Sequence, residues 1–129
     1  VKLLLDTHVV LWSATAPDRL SAAARACIED GENDVYVSAV VAWEIAIKQA
    51  IGKLDLPQPA EAWLPRVIDK SGFESLDVSV EAALRVRALP WHHRDPFDRL
   101  LVAQALATGC TLITQDDALT AYGVPLIRA

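Results

Sequence analysis

Three short runs of consecutive apolar residues, each broken by a polar turn, constrain the fold of this chain more than any other feature. Val1-Lys2-Leu3-Leu4-Leu5 ends at Asp6-Thr7-His8, Val35-Tyr36-Val37 ends at Ser38, and Thr111-Leu112-Ile113-Thr114 ends at Gln115-Asp116-Asp117. Side chains alternate between the two faces of a strand, so an unbroken apolar run describes a strand buried on both faces. Gly72–Leu76 and Val124–Ile127 are weaker strand segments of the same kind. Helical patterns lie between these runs. Ser21 caps a segment through Glu29, with Gly31 just beyond it, and Ser38 caps Ala39–Ile51, closed by Gly52. Gly52–Pro59 is a connection, and Ala60–Lys70 is helical, with Pro65 expected to kink it or delay its start. Ser79 caps a helix through Leu89, stopped by Pro90. Asp95-Pro96 opens a last helix, which runs to Thr108 before Gly109. Strands alternating with helices imply crossover connections. The predicted fold is therefore α/β, a three-layer α/β/α sandwich with a central parallel sheet.

The 129 residues suit one domain spanning 1–129. At 53% apolar, the composition excludes a disordered chain and leaves apolar surface over for a partner. No apolar run approaches the ~18 residues of a membrane span, and no basic-then-apolar leader precedes a cleavage site. Cys27 and Cys110 make no disulfide framework and fit a reduced compartment, so the expectation is a soluble, cytoplasmic protein without a membrane partner. The net charge of -5 argues at face value against a nucleic-acid partner, but that inference ignores where the acids sit.

Ligands of open parallel sheets collect at the carboxyl ends of the strands. Asp6 and Asp116 directly follow two predicted strands, Glu44 lies in the helix after Val35–Val37, and Asp98 lies in the first turn of the helix before Thr111–Thr114. Each acid has an ordinary alternative. Asp6 and Asp116 suit helix N-caps, Asp95 and Asp98 suit the start of a helix, and Glu44 stands four residues before Lys48 as in a common helix ion pair. Helical phase weighs against these alternatives. Glu44 is in line with Val40, Ile47 and Ile51, and Asp98 with Leu101, Val102 and Ala105. A carboxylate on a core-facing stripe costs several kcal/mol unless it is paired or bound to a cation. Four acids in this placement point to a metal site, and an all-oxygen donor set favours Mg²⁺ or Mn²⁺ over zinc.

Leu4-Leu5-Asp6-Thr7, Trp43-Glu44-Ile45, Asp95-Pro96-Phe97-Asp98-Arg99 and Leu112-Ile113-Thr114-Gln115-Asp116 together resemble a PIN-domain nuclease, most nearly the VapC-type toxins of toxin–antitoxin pairs. The resemblance covers essentially the whole chain. It implies an Mg²⁺-dependent endoribonuclease that hydrolyses RNA by metal-activated water, is held inactive by a cognate VapB-like antitoxin, and is commonly a homodimer. Carried over by position, Asp6 and Asp98 are the principal metal ligands, with Glu44 and Asp116 completing the catalytic cluster. Asp95 is assigned as the cap, and Asp117 is left facing solvent or in the following turn. Thr7 and Thr114 are placed to hydrogen-bond the ligands or to serve as turn hydroxyls. With four of the 17 acids so assigned, 13 remain against 12 lysines and arginines, and the charge no longer excludes RNA.

Other polar landmarks carry less weight. His92, His93 and Arg94, with Trp91 and Arg99, either line a substrate path or form a polar loop around one anchoring tryptophan. His8 reads as a turn residue rather than a metal ligand, and Lys48 and Lys53 as solvated lysines rather than contacts to RNA or antitoxin. Trp12, Trp43 and Trp63 read as core or interface packing. Two other functions stand as alternatives. An aspartyl phosphatase or phosphotransferase would use Asp6 as nucleophile, but the haloacid-dehalogenase-like pattern wants an acid where His8 stands. The other is a non-catalytic PIN-like module that binds RNA or protein, against which the retention of all four acids argues.

Overall fold

The computed structural model describes all 129 residues. The chain runs β1 (Lys2–Leu5), α1 (Thr7–Thr15), α2 (Ala22–Glu29), β2 (Asp34–Ser38), α3 (Ala39–Ala50), α4 (Ala60–Ser71), β3 (Glu74–Leu76), α5 (Val80–Arg85), α6 (Pro96–Thr108), β4 (Thr111–Thr114) and β5 (Leu126–Arg128). The five strands form one sheet in the order β3-β2-β1-β4-β5, and every neighbouring pair is parallel. Leu3, Leu4 and Leu5 are successive residues of the central strand and all are fully buried. Because they alternate between faces, helices must cover both sides of the sheet. This is the α/β arrangement that the apolar runs predict.

Register places the site. Leu5 of β1 lies level with Val37 of β2 on one side and Ile113 of β4 on the other. Asp6, Ser38 and Thr114 therefore end three adjacent strands at one edge of the sheet. The chain leaves β1 toward β2 and β3 and then returns to β4 and β5 on the far side. The β1/β4 boundary is thus the point where strand order reverses, which is where open parallel sheets form their ligand crevice.

The capping residues read from the sequence act as such. Ser21 accepts from the Ala24 amide, Ser38 from Val40, and Ser79 from Ala82. Gly109 ends α6 at φ 72°, a left-handed conformation open to glycine at little cost. Several boundaries differ from expectation. The helix expected to reach Leu89 ends at Arg85 and continues as a 3₁₀ turn over Val86–Ala88. The reason lies in the side chain of Arg99, which claims the carbonyls of Val86, Leu89 and Pro90. Pro65 sits inside α4 and does not delay its start, because the buried Trp63 and Leu64 hold those turns on the core. The weaker strands are shorter than read or shifted in register, at Glu74–Leu76 and Leu126–Arg128.

The apolar stripe predicted on α3 needs one correction. Its buried residues are Val40, Val41, Glu44 and Ile45, whereas Ile47 and Ile51 are exposed. The buried stripe is centred between Glu44 and Val41, which leaves Ile47 on its flank and Ile51 at the uncovered C-terminal end. Glu44 nonetheless remains on the buried side. On α6 the expected stripe holds, with Leu101, Val102 and Ala105 all in the core.

One buried polar bridge ties the strand edge to these helices. Ser38 Oγ donates to Gln104 Oε1 at 2.5 Å, and Gln104 Nε2 donates to the Asp77 carbonyl at 3.1 Å. The bridge joins the start of α3, the middle of α6 and the segment between β3 and α5. Gln104→Leu keeps the volume but strands the Ser38 hydroxyl and the Asp77 carbonyl, each worth ~1–3 kcal/mol when left unpaired. The variant should lose about 2–4 kcal/mol of stability in urea denaturation.

Candidate active site

Asp6 combines a structural role with an open one. It is 6% exposed; its Oδ1 accepts from the Val9 amide at 2.9 Å and so caps α1. Its Oδ2 accepts from Thr114 Oγ1 at 2.5 Å, across the β1/β4 boundary. Thr114 Oγ1 in turn accepts from the Asp116 amide at 3.1 Å, which links the ends of β1 and β4. Glu44 is equally buried. Thr7 Oγ1 donates to its Oε1 at 2.5 Å, and Lys48 one turn along α3 is paired with its Oε2. The ordinary helix pair is therefore present, but it is half-buried and faces the cleft.

At the start of α6, Asp95 is the cap: its Oδ1 accepts from the amides of Phe97 and Asp98 at 2.8 and 3.2 Å. Asp98 accepts no such bond and projects to the same edge as Asp6. Asp116 accepts from the Ala118 amide at 3.0 Å through Oδ1 and opens the 3₁₀ turn Asp117–Tyr122. Its Oδ2 lies 2.8 Å from His93 Nε2, and Asp98 Oδ2 lies 3.6 Å from the same nitrogen. Ligand atoms of His93, Asp98 and Asp116 fall within 4.8 Å of one another. Asp117, by contrast, is exposed and pairs with Arg128 at 2.5 Å.

Asp6, Glu44, Asp98 and Asp116 line one cleft of about 130 Å³ with Thr7, His8, Lys48, Asp95 and Gln115, and no hydrophobic residue takes part. The four acids singled out in the sequence thus share one site, built from β1, α3, α6 and the turn after β4. Sequence reasoning gave His93 only a peripheral place, because its approach to Asp116 spans 23 residues and leaves no local pattern. Of the two readings open for Arg99, the substrate path is removed by its burial. Arg99 is 2% exposed and holds the 86–93 segment through four backbone carbonyls and the Tyr122 hydroxyl, with Trp91 packed over its guanidinium at 3.9 Å. A buried guanidinium needs its N–H donors satisfied, and carbonyls together with the Tyr122 hydroxyl do that at both terminal nitrogens.

The profile of the PIN domain family matches residues 3–125 of this chain. The chain belongs to the PIN-domain family. Ribonuclease VapC22 of Mycobacterium tuberculosis is 32% identical over 124 residues, which cover 95% of this chain and 93% of that protein, so membership extends to the VapC ribonucleases. Among solved structures, VapBC2 of Rickettsia felis bound to a DNA fragment from its promoter superposes with a TM-score of 0.75 at 15% identity, covering 99% of this chain and 98% of that one. DNA-bound VapBC from Salmonella typhimurium gives a TM-score of 0.74 at 16% identity, with the same coverage. These two share the fold.

Electrostatics in the cleft of this PIN domain are dominated by burial and like charge. Burial pushes the Asp6 carboxyl above its ordinary value, against the opposing hydrogen bonds from Thr114 and Val9. Asp98 is pushed up from 3.8 to about 7, first by burial and then by the charge of Asp95, with Asp6 and Glu44 adding to it and His93 opposing it. Lys48 is raised by its hydrogen bond to Glu44. A carboxyl whose folded value lies above its unfolded one binds its proton more tightly when folded, so stability falls as pH rises between 3.8 and about 7. Asp98→Asn removes that pH dependence. In chelator-treated protein the variant should melt above the wild type at pH 8, and the difference should shrink toward pH 4.

Proposed function

We propose that this chain is a divalent-cation-dependent endoribonuclease, the toxin of a toxin–antitoxin pair, restrained by a VapB-like antitoxin. One observation carries the reading: Asp6, Glu44, Asp98 and Asp116, from four separate elements, line one polar cleft beside Asp95, with Asp98 raised to about 7. Folding gathers these charges at a cost, and a bound cation offsets it. The donor set fits such an ion. The four acids offer only carboxylate oxygen, suited to Mg²⁺ or Mn²⁺, which keep bound waters. Asp6 and Asp98 are assigned as the principal holders, and Glu44 and Asp116 as completing the set.

The ion, when bound, supplies Lewis-acid stabilisation of phosphodiester oxygens and activation of water. The side chains of the chain do the rest. Thr114 orients Asp6, and Thr7 and Lys48 orient Glu44, so the carboxylates are fixed before substrate arrives. Lys48, paired with Glu44, also places a cationic group in the cleft wall. No nucleophilic side chain is required. Cys110 is buried and Cys27 lies outside the cleft, which supports hydrolysis without a covalent intermediate.

An antitoxin partner is supported by two features. The structural neighbours named VapBC are toxin–antitoxin complexes, and this chain leaves apolar surface uncovered. Trp43 is 55% and Ile51 59% exposed, and an apolar groove between α3 and α4 is lined by Ala42, Ala46, Leu64, Pro65 and Ile68. A homodimer face and an antitoxin groove are the uses assigned to that surface. No helix is long and apolar enough to cross a membrane.

Purified protein should cleave single-stranded RNA with Mg²⁺, and EDTA should stop it. Asp98→Asn should lower the rate about 10²-fold or more while the protein stays folded by circular dichroism. Full cleavage by that variant overturns the proposed mechanism. RNA binding without cleavage by the wild type points to the non-catalytic module, and labelled phosphate on Asp6 to a phosphotransferase.

A further inference from the structure

We infer that His93 is a positioning residue for Asp116: a neutral imidazole that donates from Nε2 to this carboxylate and is not itself a ligand of the cation. The inference rests on the metal-site reading above and adds a residue to it. Its geometric basis is the hydrogen-bond direction at each ring nitrogen. The Asp95 backbone N–H points at His93 Nδ1 at 3.0 Å. A backbone amide only donates, so Nδ1 holds the lone pair in that contact. In a neutral imidazole the ring proton then sits on Nε2. This nitrogen faces Asp116 Oδ2 at 2.8 Å, with Asp98 Oδ2 at 3.6 Å. A nitrogen carrying a proton has no lone pair to offer a cation, even though its distances to the two acids resemble those of a ligand set.

The ring is held for this purpose from its backbone side. The His93 amide donates to Tyr122 Oη at 2.9 Å, and that hydroxyl also accepts from Arg99 at 3.1 Å. Buried Arg99, unsuited to substrate contact, thus has a role: its guanidinium anchors the segment that carries His93. Asp95 does two things at once, capping α6 with its side chain and setting the histidine tautomer with its amide. Asp116 consequently has both oxygens oriented, Oδ1 by the Ala118 amide and Oδ2 by His93, and it retains lone pairs for a cation. The arrangement also keeps the first coordination sphere all-oxygen. A ligating imidazole at that point would instead favour zinc and other borderline metals. His93 therefore helps hold the site to a hard cation.

Three measurements test this on the full chain. In metal-free protein, long-range ¹H–¹⁵N spectra should show the His93 ring with its proton on Nε2; a proton on Nδ1 overturns the inference. In Mn²⁺-loaded wild type, electron spin-echo spectra should show no directly coordinated ¹⁴N; a strong nitrogen coupling that disappears in His93→Gln overturns it. Titration calorimetry should find Mn²⁺ bound about 10-fold more weakly by His93→Ala, with His93→Gln, which retains an N–H donor, within about 3-fold of wild type. Equal Mn²⁺ affinity in wild type and folded His93→Ala overturns the positioning role. Should His93→Ala fail to fold, wild type and His93→Gln decide through the spectra. Absence of Mn²⁺ binding by the wild type sinks the metal-site reading instead, and the metal-free spectrum still decides the hydrogen bond to Asp116.

Discussion

Parallel pairing around β1 is the constraint on which the rest of the molecule depends. Every strand points the same way, so all strand ends with a role in the site lie along one edge of the sheet. β1 is flanked by β2 and β4 and covered on both faces, so its carboxyl end opens toward solvent only at that edge. Asp6 stands there because the chain must turn from a buried strand into α1 at that residue. The same geometry brings in Ser38 and Thr114 as neighbours, and α3 and α6 begin beside it. The acidic cleft is the place where this topology leaves room.

What the topology gathers, electrostatics opposes. Four carboxylates converge, and only some of their charge is answered within the chain. Glu44 has Thr7 and Lys48, and Asp6 has Thr114 and an amide. Asp98 has no such donors and is displaced toward its neutral form, to about 7. This gradient reflects division of labour. The fully bonded acids are rigid and belong to the scaffold as much as to the site. The poorly bonded acid has lone pairs unused by the fold. Perturbed carboxyls of this kind concentrate where chemistry needs them, and stability is given up locally for it.

Much of the fold was legible in the sequence because its signals are local. Unbroken apolar runs marked β1, β2 and β4, and Ser21, Ser38, Ser79 and Asp95 marked helix starts through bonds to amides two or three residues on. The four acids were legible too, since strand ends and helical phase are local properties. What was not legible is made across the chain. Thr114 meets Asp6 over 108 residues and Thr7 meets Glu44 over 37, so a turn hydroxyl and an orienting hydroxyl look alike in sequence. Arg99 misled for a related reason. An arginine beside an acidic motif suggests phosphate, yet its partners are carbonyls 6 to 13 residues back, which no side-chain pattern announces. Ile47 and Ile51 failed differently: periodicity identifies an apolar stripe, but not how far along the helix the covering elements extend.

The sequence set capping against chemistry as rival explanations for each acid, and that opposition dissolves at the level of single oxygens. A carboxylate has two, and at Asp6 and Asp116 one oxygen caps a turn while the other meets Thr114 or His93. Asp95 is different, because both amide bonds to its side chain fall on the same oxygen at the start of α6. Capping therefore fixes the rotamer of a carboxylate so that its remaining lone pairs point one way, which is what a preorganised cation site requires. Seen this way, the negative charge of the chain is less a surface property than a concentration at one edge. Outside the cleft, whose lining holds five acids and Lys48, 12 acidic residues face 11 basic ones, so the rest of the chain is close to neutral.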